Sequence, residues 1–205
     1  MAKRSNLLGL AVLGVIVQRP MHRYEIATTI REQGKDDDMA VKWGSLYTVV
    51  AGLERSGFVE AVGVDRDGAR PERVTYRITA AGVREMMGWT RDLLGGTTSS
   101  RQEFSAGLSM IACLPPEEVL GILRERVARL ETGVPERRAA LAGYTEHVPR
   151  LFLVEDEYDI ALREAELAWL RSLVAEIESG RFPGIDEWRH RQAVLSEDAP
   201  FPSES

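Results

Sequence analysis

The sequence predicts a mostly α chain with one small β-hairpin, divided into a front domain and an all-helical back domain. Three observations carry this. Apolar residues recur at helical spacing along most of the 205 residues. Residues 58–79 switch instead to alternation on either side of a polar turn. The charge also changes sign along the chain: residues 1–98 hold 14 basic and 12 acidic side chains, +2, and residues 99–205 hold 12 and 20, −8. A mildly basic front joined to an acidic back implies two different tasks.

Taken in order, residues 5–18 read as a helix apolar nearly all round, from Leu7 to Val17, which places it in a core. The run is too short to span a membrane. It follows Lys3 and Arg4 as a signal peptide would, but it lacks a small-residue cleavage site and runs into Arg19-Pro20. A core helix of a cytoplasmic protein is therefore expected. A second helix is expected over His22–Glu32, with Tyr24, Ile26, Ala27 and Ile30 inward and Gly34 closing it. A third fits Gly44–Ser56: Leu46, Val49, Val50 and Leu53 form its apolar stripe, Ser45, Tyr47, Thr48 and Arg55 lie off it, and Gly57 stops it. Phe58–Asp65 reads as extended. Residues 65–71 make a turn, and Val74, Tyr76 and Ile78 alternate with Arg73, Thr75 and Arg77. Thr79 is the expected N-cap of a fourth helix carrying Val83, Met86, Met87, Leu93 and Leu94.

Three helices, a hairpin and a further helix are the order of a winged helix-turn-helix, in which the third helix enters the major groove and the hairpin reaches backbone or minor groove. This domain is expected over 1–96. The segment Gly95-Gly96-Thr97-Thr98-Ser99-Ser100 reads as the boundary. Beyond it a helical dimerisation domain is expected over 101–180. Pro115-Pro116-Glu117-Glu118 starts a helix whose Leu120, Leu123, Val127, Leu130 and Val134 step by three and four, a coiled-coil seam. Pro135 is expected to kink or break it. A last helix over 151–179 carries the stripe Leu151, Val154, Tyr158, Leu162, Ala165, Trp169, Leu173 and Ile177. Residues 181–205, rich in proline and acids, read as a loose tail.

The residues of 7–82 resemble the PadR family of bacterial transcriptional regulators. Pro20-Met21-His22-Arg23-Tyr24-Glu25-Ile26 is similar to the start of its second helix, with Arg23 where the family usually has glycine. Gly44-Ser45-Leu46-Tyr47 and Leu53-Glu54-Arg55-Ser56-Gly57-Phe58-Val59 resemble its recognition helix. Arg70-Pro71-Glu72-Arg73, Tyr76-Arg77-Ile78-Thr79 and Gly82 resemble its wing and fourth helix. In the back half Leu114-Pro115-Pro116-Glu117-Glu118 and Glu164-Ala165-Glu166-Leu167-Ala168-Trp169-Leu170 are similar to its dimerisation domain. The resemblance implies a homodimeric repressor acting on a palindromic operator in double-stranded DNA. Many relatives respond to phenolic or drug-like ligands, and some to none.

On this reading Ser45, Tyr47 and Thr48 face phosphates or base edges. Lys42, Lys3 and Arg4 add backbone contacts, and Arg66, Arg70 and Arg73 form a cationic wing tip. The competing reading of that tip is a loop self-paired with Asp65 and Asp67. Met86 and Trp89, one turn apart, suit a wall for a small aromatic effector, or else interior packing. Leu123, Val127, Leu130, Tyr158, Leu162, Trp169 and Leu173 are the expected dimer residues. Cys113 reads as a core residue. His22, His147 and His190 lack neighbours at metal-ligand spacing, and neither a nucleophile elbow nor a phosphate loop occurs, so no metal, cofactor or enzymatic activity is expected. The competing functional class is a winged-helix module that binds protein without reading DNA sequence. It draws on the weak +2 charge and on Asp36-Asp37-Asp38.

Overall fold

The computed structural model describes residues 7–34, 45–65, 73–96 and 100–196. They fall into two compact units, Met1–Leu114 and Pro115–Ser205. Within them the chain is helical apart from one small sheet, as the apolar spacing predicts.

In the front unit α1 (Leu7–Ile16) is buried at every position from Leu8 onward. It packs against α2 (Arg23–Glu32), α3 (Leu46–Arg55), β3 (Arg73–Ile78) and α4 (Ala80–Gly95). A helix surrounded in this way needs apolar side chains all round, which explains its composition. On α2, Ile26 and Ile30 are buried, but Tyr24 is 81% exposed, not inward as the sequence reading had it. Tyr24 lies two positions before Ile26, so at about 100° per residue it points to the opposite side of the helix.

The third helix ends in two paired bonds: Phe58 N–H to Leu53 C=O, 2.9 Å, and Gly57 N–H to Glu54 C=O, 2.9 Å. This closure needs a left-handed residue, and Gly57 has φ 72°. The chain then enters β2 (Val59–Asp65), which pairs antiparallel with β3. The register slips between Ala61 and Gly63, leaving Val62 42% exposed at a bulge. The sequence pattern did not anticipate β1 (Met21–His22), which pairs antiparallel with β3, Met21 opposite Tyr76 and His22 opposite Thr75. The sheet order is β1-β3-β2.

Thr79 caps α4 as expected: its hydroxyl accepts from Gly82 N–H at 3.0 Å and donates to Gly57 C=O at 2.6 Å. One side chain thus ties the end of α3 to the start of α4. A Cβ on Gly82 would stand 2.0 Å from the Phe58 carbonyl oxygen, so only glycine fits. α5 (Arg101–Ser109) opens on a capping box, Ser100 with Glu103. It lies against α4, Gly107 facing Leu93 and Leu94. The front unit therefore extends past the glycine-rich segment, and the division falls after Leu114 instead of at 96–101. Cys113, buried, donates to Thr90 Oγ1 at 3.2 Å.

In the back unit α6 (Pro116–Thr145) runs unbroken through Pro135. It packs along α7 (Val154–Glu178). Three ion pairs fix the register: Arg124–Glu178, Glu131–Arg171 and Arg138–Glu164. As the first number rises by seven the second falls by seven, the signature of an antiparallel heptad pairing. Each exposed pair contributes only about 0–1 kcal/mol, so they select register more than they stabilise. The seam read from α6 closes inside the chain, with Leu123, Leu130 and Val134 buried. The expected loose tail is corrected too: α8 (Ile185–Ser196) forms and buries Ile185 and Trp188. Those two apolar anchors, three apart on one face, outweigh the acidic composition around them.

Gly82→Ala is expected to destabilise the front unit by about 1–3 kcal/mol through overpacking against backbone. Urea unfolding followed by tryptophan fluorescence measures this; an unchanged midpoint of the front unit's transition contradicts the close approach.

Candidate nucleic-acid interface

α3 stands on the core through Leu46, Val49, Val50 and Leu53, all buried. Its other side carries Tyr47, 68% exposed, and Thr48, exposed. Ser45 holds the N-cap position, half-buried, and makes no cap hydrogen bond with its side chain. Arg55 is exposed, and its Nε donates to Ala51 C=O. The stripe read from the sequence therefore separates the two faces of α3 correctly, and Tyr47 and Thr48 lie on the outer one.

Several contacts hold α2, which precedes α3. Glu25 accepts the His22 N–H at 2.8 Å and an Arg19 N–H at 3.2 Å. The backbone bond first, and then Arg19, hold its carboxyl below the ordinary carboxylate range. The His22 ring meets Thr75 Oγ1 at 2.9 Å through Nδ1, tying the start of α2 to β3. Between β2 and β3, Arg77 pairs with Glu60 at 2.7 Å.

Arg23, noted in the sequence only for its departure at a turn, is the residue the sequence reading underrated. Its guanidinium carbon lies 5.4 Å from the Tyr47 ring centroid and 5.1 Å from that of Tyr76, and it donates to Tyr76 Oη. Only the β1–β3 pairing brings residues 23 and 76 together, and a two-residue strand leaves no pattern to read.

Lys3, Arg4, Lys42, Arg66 and Arg70 lie outside the described residues. Arg73 begins β3, opposite Asp65. Met86 and Trp89 are buried, Trp89 only 3% exposed. The indole N–H donates to Glu85 at 2.6 Å. The ring lies against α1, where a Cβ on Gly9 would sit 3.2 Å from two of its carbons. The pair is interior packing between α1 and α4, and the expectation of an accessible wall is corrected accordingly. Of the expected dimer residues, Leu123 and Leu130 are covered by their own chain. Val127, Leu162 and Leu173 are half-buried. Tyr158 is 62% and Trp169 48% exposed. Among the described residues no group of three His, Cys, Asp or Glu is placed to hold a metal, and no helix is long and apolar enough to cross a membrane.

A three-stranded antiparallel sheet beside an outward helix held on a helix-turn-helix is the architecture of a winged helix DNA-binding domain. Residues 12–87 match the transcriptional regulator PadR-like family. The match covers the greater part of the front unit and gives that segment as a PadR-like domain. Among solved structures it is similar to Bacillus subtilis PadR in complex with operator DNA: 17% identity, 83% of this chain and 98% of that one, TM-score 0.39. It is similar to smu.1604c of Streptococcus mutans UA159: 19% identity, 82% and 98%, TM-score 0.38. It is similar also to Bacillus subtilis PadR in complex with p-coumaric acid: 16% identity, 84% and 99%, TM-score 0.35. No curated protein matches the chain.

Two outcomes follow. Trp89→Ala is expected to cost about 3–5 kcal/mol, as for large-to-small changes in a core; a thermal melt within a degree of wild type contradicts the packing. Glu25→Ala is expected to cost about 1 kcal/mol at neutral pH through loss of the cap. The folded carboxyl titrates below its unfolded value, so its contribution is complete above the unfolded pKa and fades as pH falls through the folded one. Urea melts of both proteins at pH 7 and in the acid range measure the gap, which narrows on acidification.

Proposed function

We propose that this chain is a homodimeric repressor of the PadR type that binds a palindromic operator in double-stranded DNA. Tyr47 and Thr48 of α3 meet base edges, with Ser45 and Lys42 on the phosphates beside them. Lys3, Arg4, Arg66, Arg70 and Arg73 contribute cationic contacts to the backbone or minor groove, on their chemistry alone. The observation that carries the reading is the outer face of α3, where a large amphipathic side chain and a hydroxyl stand exposed on a helix anchored by four buried apolar residues. Repression itself rests on the family resemblance.

What supports the dimer is the second apolar stripe of α7. The inner row, Ile160, Leu167, Leu170 and Ile177, is buried within the chain. Tyr158, Leu162, Trp169 and Leu173 form a separate row that includes two large exposed aromatics. A symmetric partner presenting the same row covers both. With the dimer built there, the acidic half has no need to touch DNA. A small aromatic effector belongs to the same reading, and one that reaches Met86 and Trp89 has to open the packing of α4 on α1.

Selection of random duplexes by the purified chain tests the function. It is expected to enrich a palindrome with half-sites about 10 bp, or a multiple, apart. Enrichment of no sequence, with weak and sequence-blind binding, favours the protein-binding module instead. On the selected site Tyr47→Ala and Thr48→Ala are each expected to lose about 1–3 kcal/mol, and Arg70→Ala to lower the salt slope by about one unit. Trp169→Asp is expected to give monomers in sedimentation at micromolar concentration, because a charge is then buried unpaired at the interface. A persistent dimer moves the interface elsewhere.

A further inference from the structure

We propose that Arg23 is a positioning residue of the recognition surface: its guanidinium, bracketed by two tyrosine rings, fixes Tyr47 for DNA and so sets sequence preference without itself touching a phosphate. The proposal rests on the DNA-binding reading above and adds a specificity determinant to it.

The chain of support begins in the core. Tyr76 is 1% exposed and sits on the central strand of the sheet, opposite Met21. Its ring is therefore immobile on the scale of a surface side chain. Arg23 follows β1 directly as the first residue of α2 and donates to Tyr76 Oη. The same guanidinium lies 5.1 Å from the Tyr76 ring and 5.4 Å from the Tyr47 ring, both inside cation–π range. Tyr47 has little else to hold it, being largely exposed on the outer face of α3. A planar cation suits this role because it stacks on ring faces and donates at its edge at the same time, which a lysine ammonium does not.

The Arg23 Nε is buried without a hydrogen-bond partner. A buried N–H left unmet is unfavourable, and the two electron-rich ring faces offset it. That atom is closed to a phosphate as well, which separates Arg23 from the cations expected to track the backbone. An exposed tyrosine that must adopt one rotamer on DNA loses conformational freedom on binding; one already held loses less. The gain belongs to sequences that use Tyr47, so it appears as specificity and not as general affinity.

The test is a double-mutant cycle on the full-length chain. Wild type, Arg23→Met, Tyr47→Ala and the double variant are titrated with the selected duplex and with a random duplex over a range of salt. Methionine keeps an apolar stem and removes the guanidinium; Arg23→Gln serves where the methionine variant melts below the assay temperature. Arg23→Met is expected to weaken the selected duplex about fivefold to tenfold. Binding to the random duplex stays within about twofold and the salt slope is unchanged, since no phosphate contact is lost. In the Tyr47→Ala background the same change costs nothing further. Equal loss on both duplexes with a slope lower by about one unit makes Arg23 a phosphate contact and overturns the proposal. So does a loss that persists undiminished in the Tyr47→Ala background. A wild-type chain that enriches no sequence removes the DNA-binding reading itself and this proposal with it, whereas enrichment followed by an additive cycle removes the proposal alone.

Discussion

The two-residue strand Met21–His22 holds the working parts of the front unit in one frame. Met21 pairs opposite Tyr76 and His22 opposite Thr75, so the turn before α2 becomes the third strand of the wing sheet. His22 adds a side-chain bond to Thr75, and Glu25 closes the same turn by accepting the His22 N–H. Thr79 makes the complementary tie at the other end of β3, bonding the carbonyl of Gly57 at the end of α3. The end of α3 and the two ends of β3 are therefore tied into one frame. The bonds involved are short-range and few, so a small number of positions, Gly82 among them, admit no substitute.

The back unit obeys a different constraint. A 30-residue helix with apolar groups at heptad spacing needs a partner along its whole length, and α7 provides one from the same chain. The ladder Arg124–Glu178, Glu131–Arg171 and Arg138–Glu164 disfavours a slip of seven residues, which brings Arg124 opposite Arg171 and Glu131 opposite Glu164. Pro135 lies exposed, and the helix continues through it. What is left over is the α7 row that includes Tyr158 and Trp169, which the hairpin does not cover. An apolar row exposed beside a satisfied one is the physical basis for a two-fold partner.

Helices with strong periodicity were legible in the sequence. Leu46, Val49, Val50 and Leu53 assigned both faces of α3, and Thr79, Gly57 and the hairpin fell where turn and cap chemistry put them. The failures share a cause: each depended on what a segment meets across space. Trp89 and Met86 carry the same residue types whether they line a wall or fill a core, and only the approach of Gly9 on α1 decides between them. The seam of α6 is the same pattern for an internal hairpin as for a dimer. Tyr24, expected inward, stands about 200° round the helix from Ile26 and faces out. Composition hid α8, whose Trp188 and Ile185 outweigh the acids around them. Arg23 reads as an oddity in a turn until β1 places it beside Tyr76.

The central claim is that one rigid helix-and-wing body reads DNA twice, through a two-fold pair. A hydroxyl-radical footprint of the full-length chain on its selected duplex tests it most directly. The account predicts two protected patches related by a dyad, their centres about one helical turn or a multiple apart. A single protected patch, or protection spread evenly along the duplex, contradicts it.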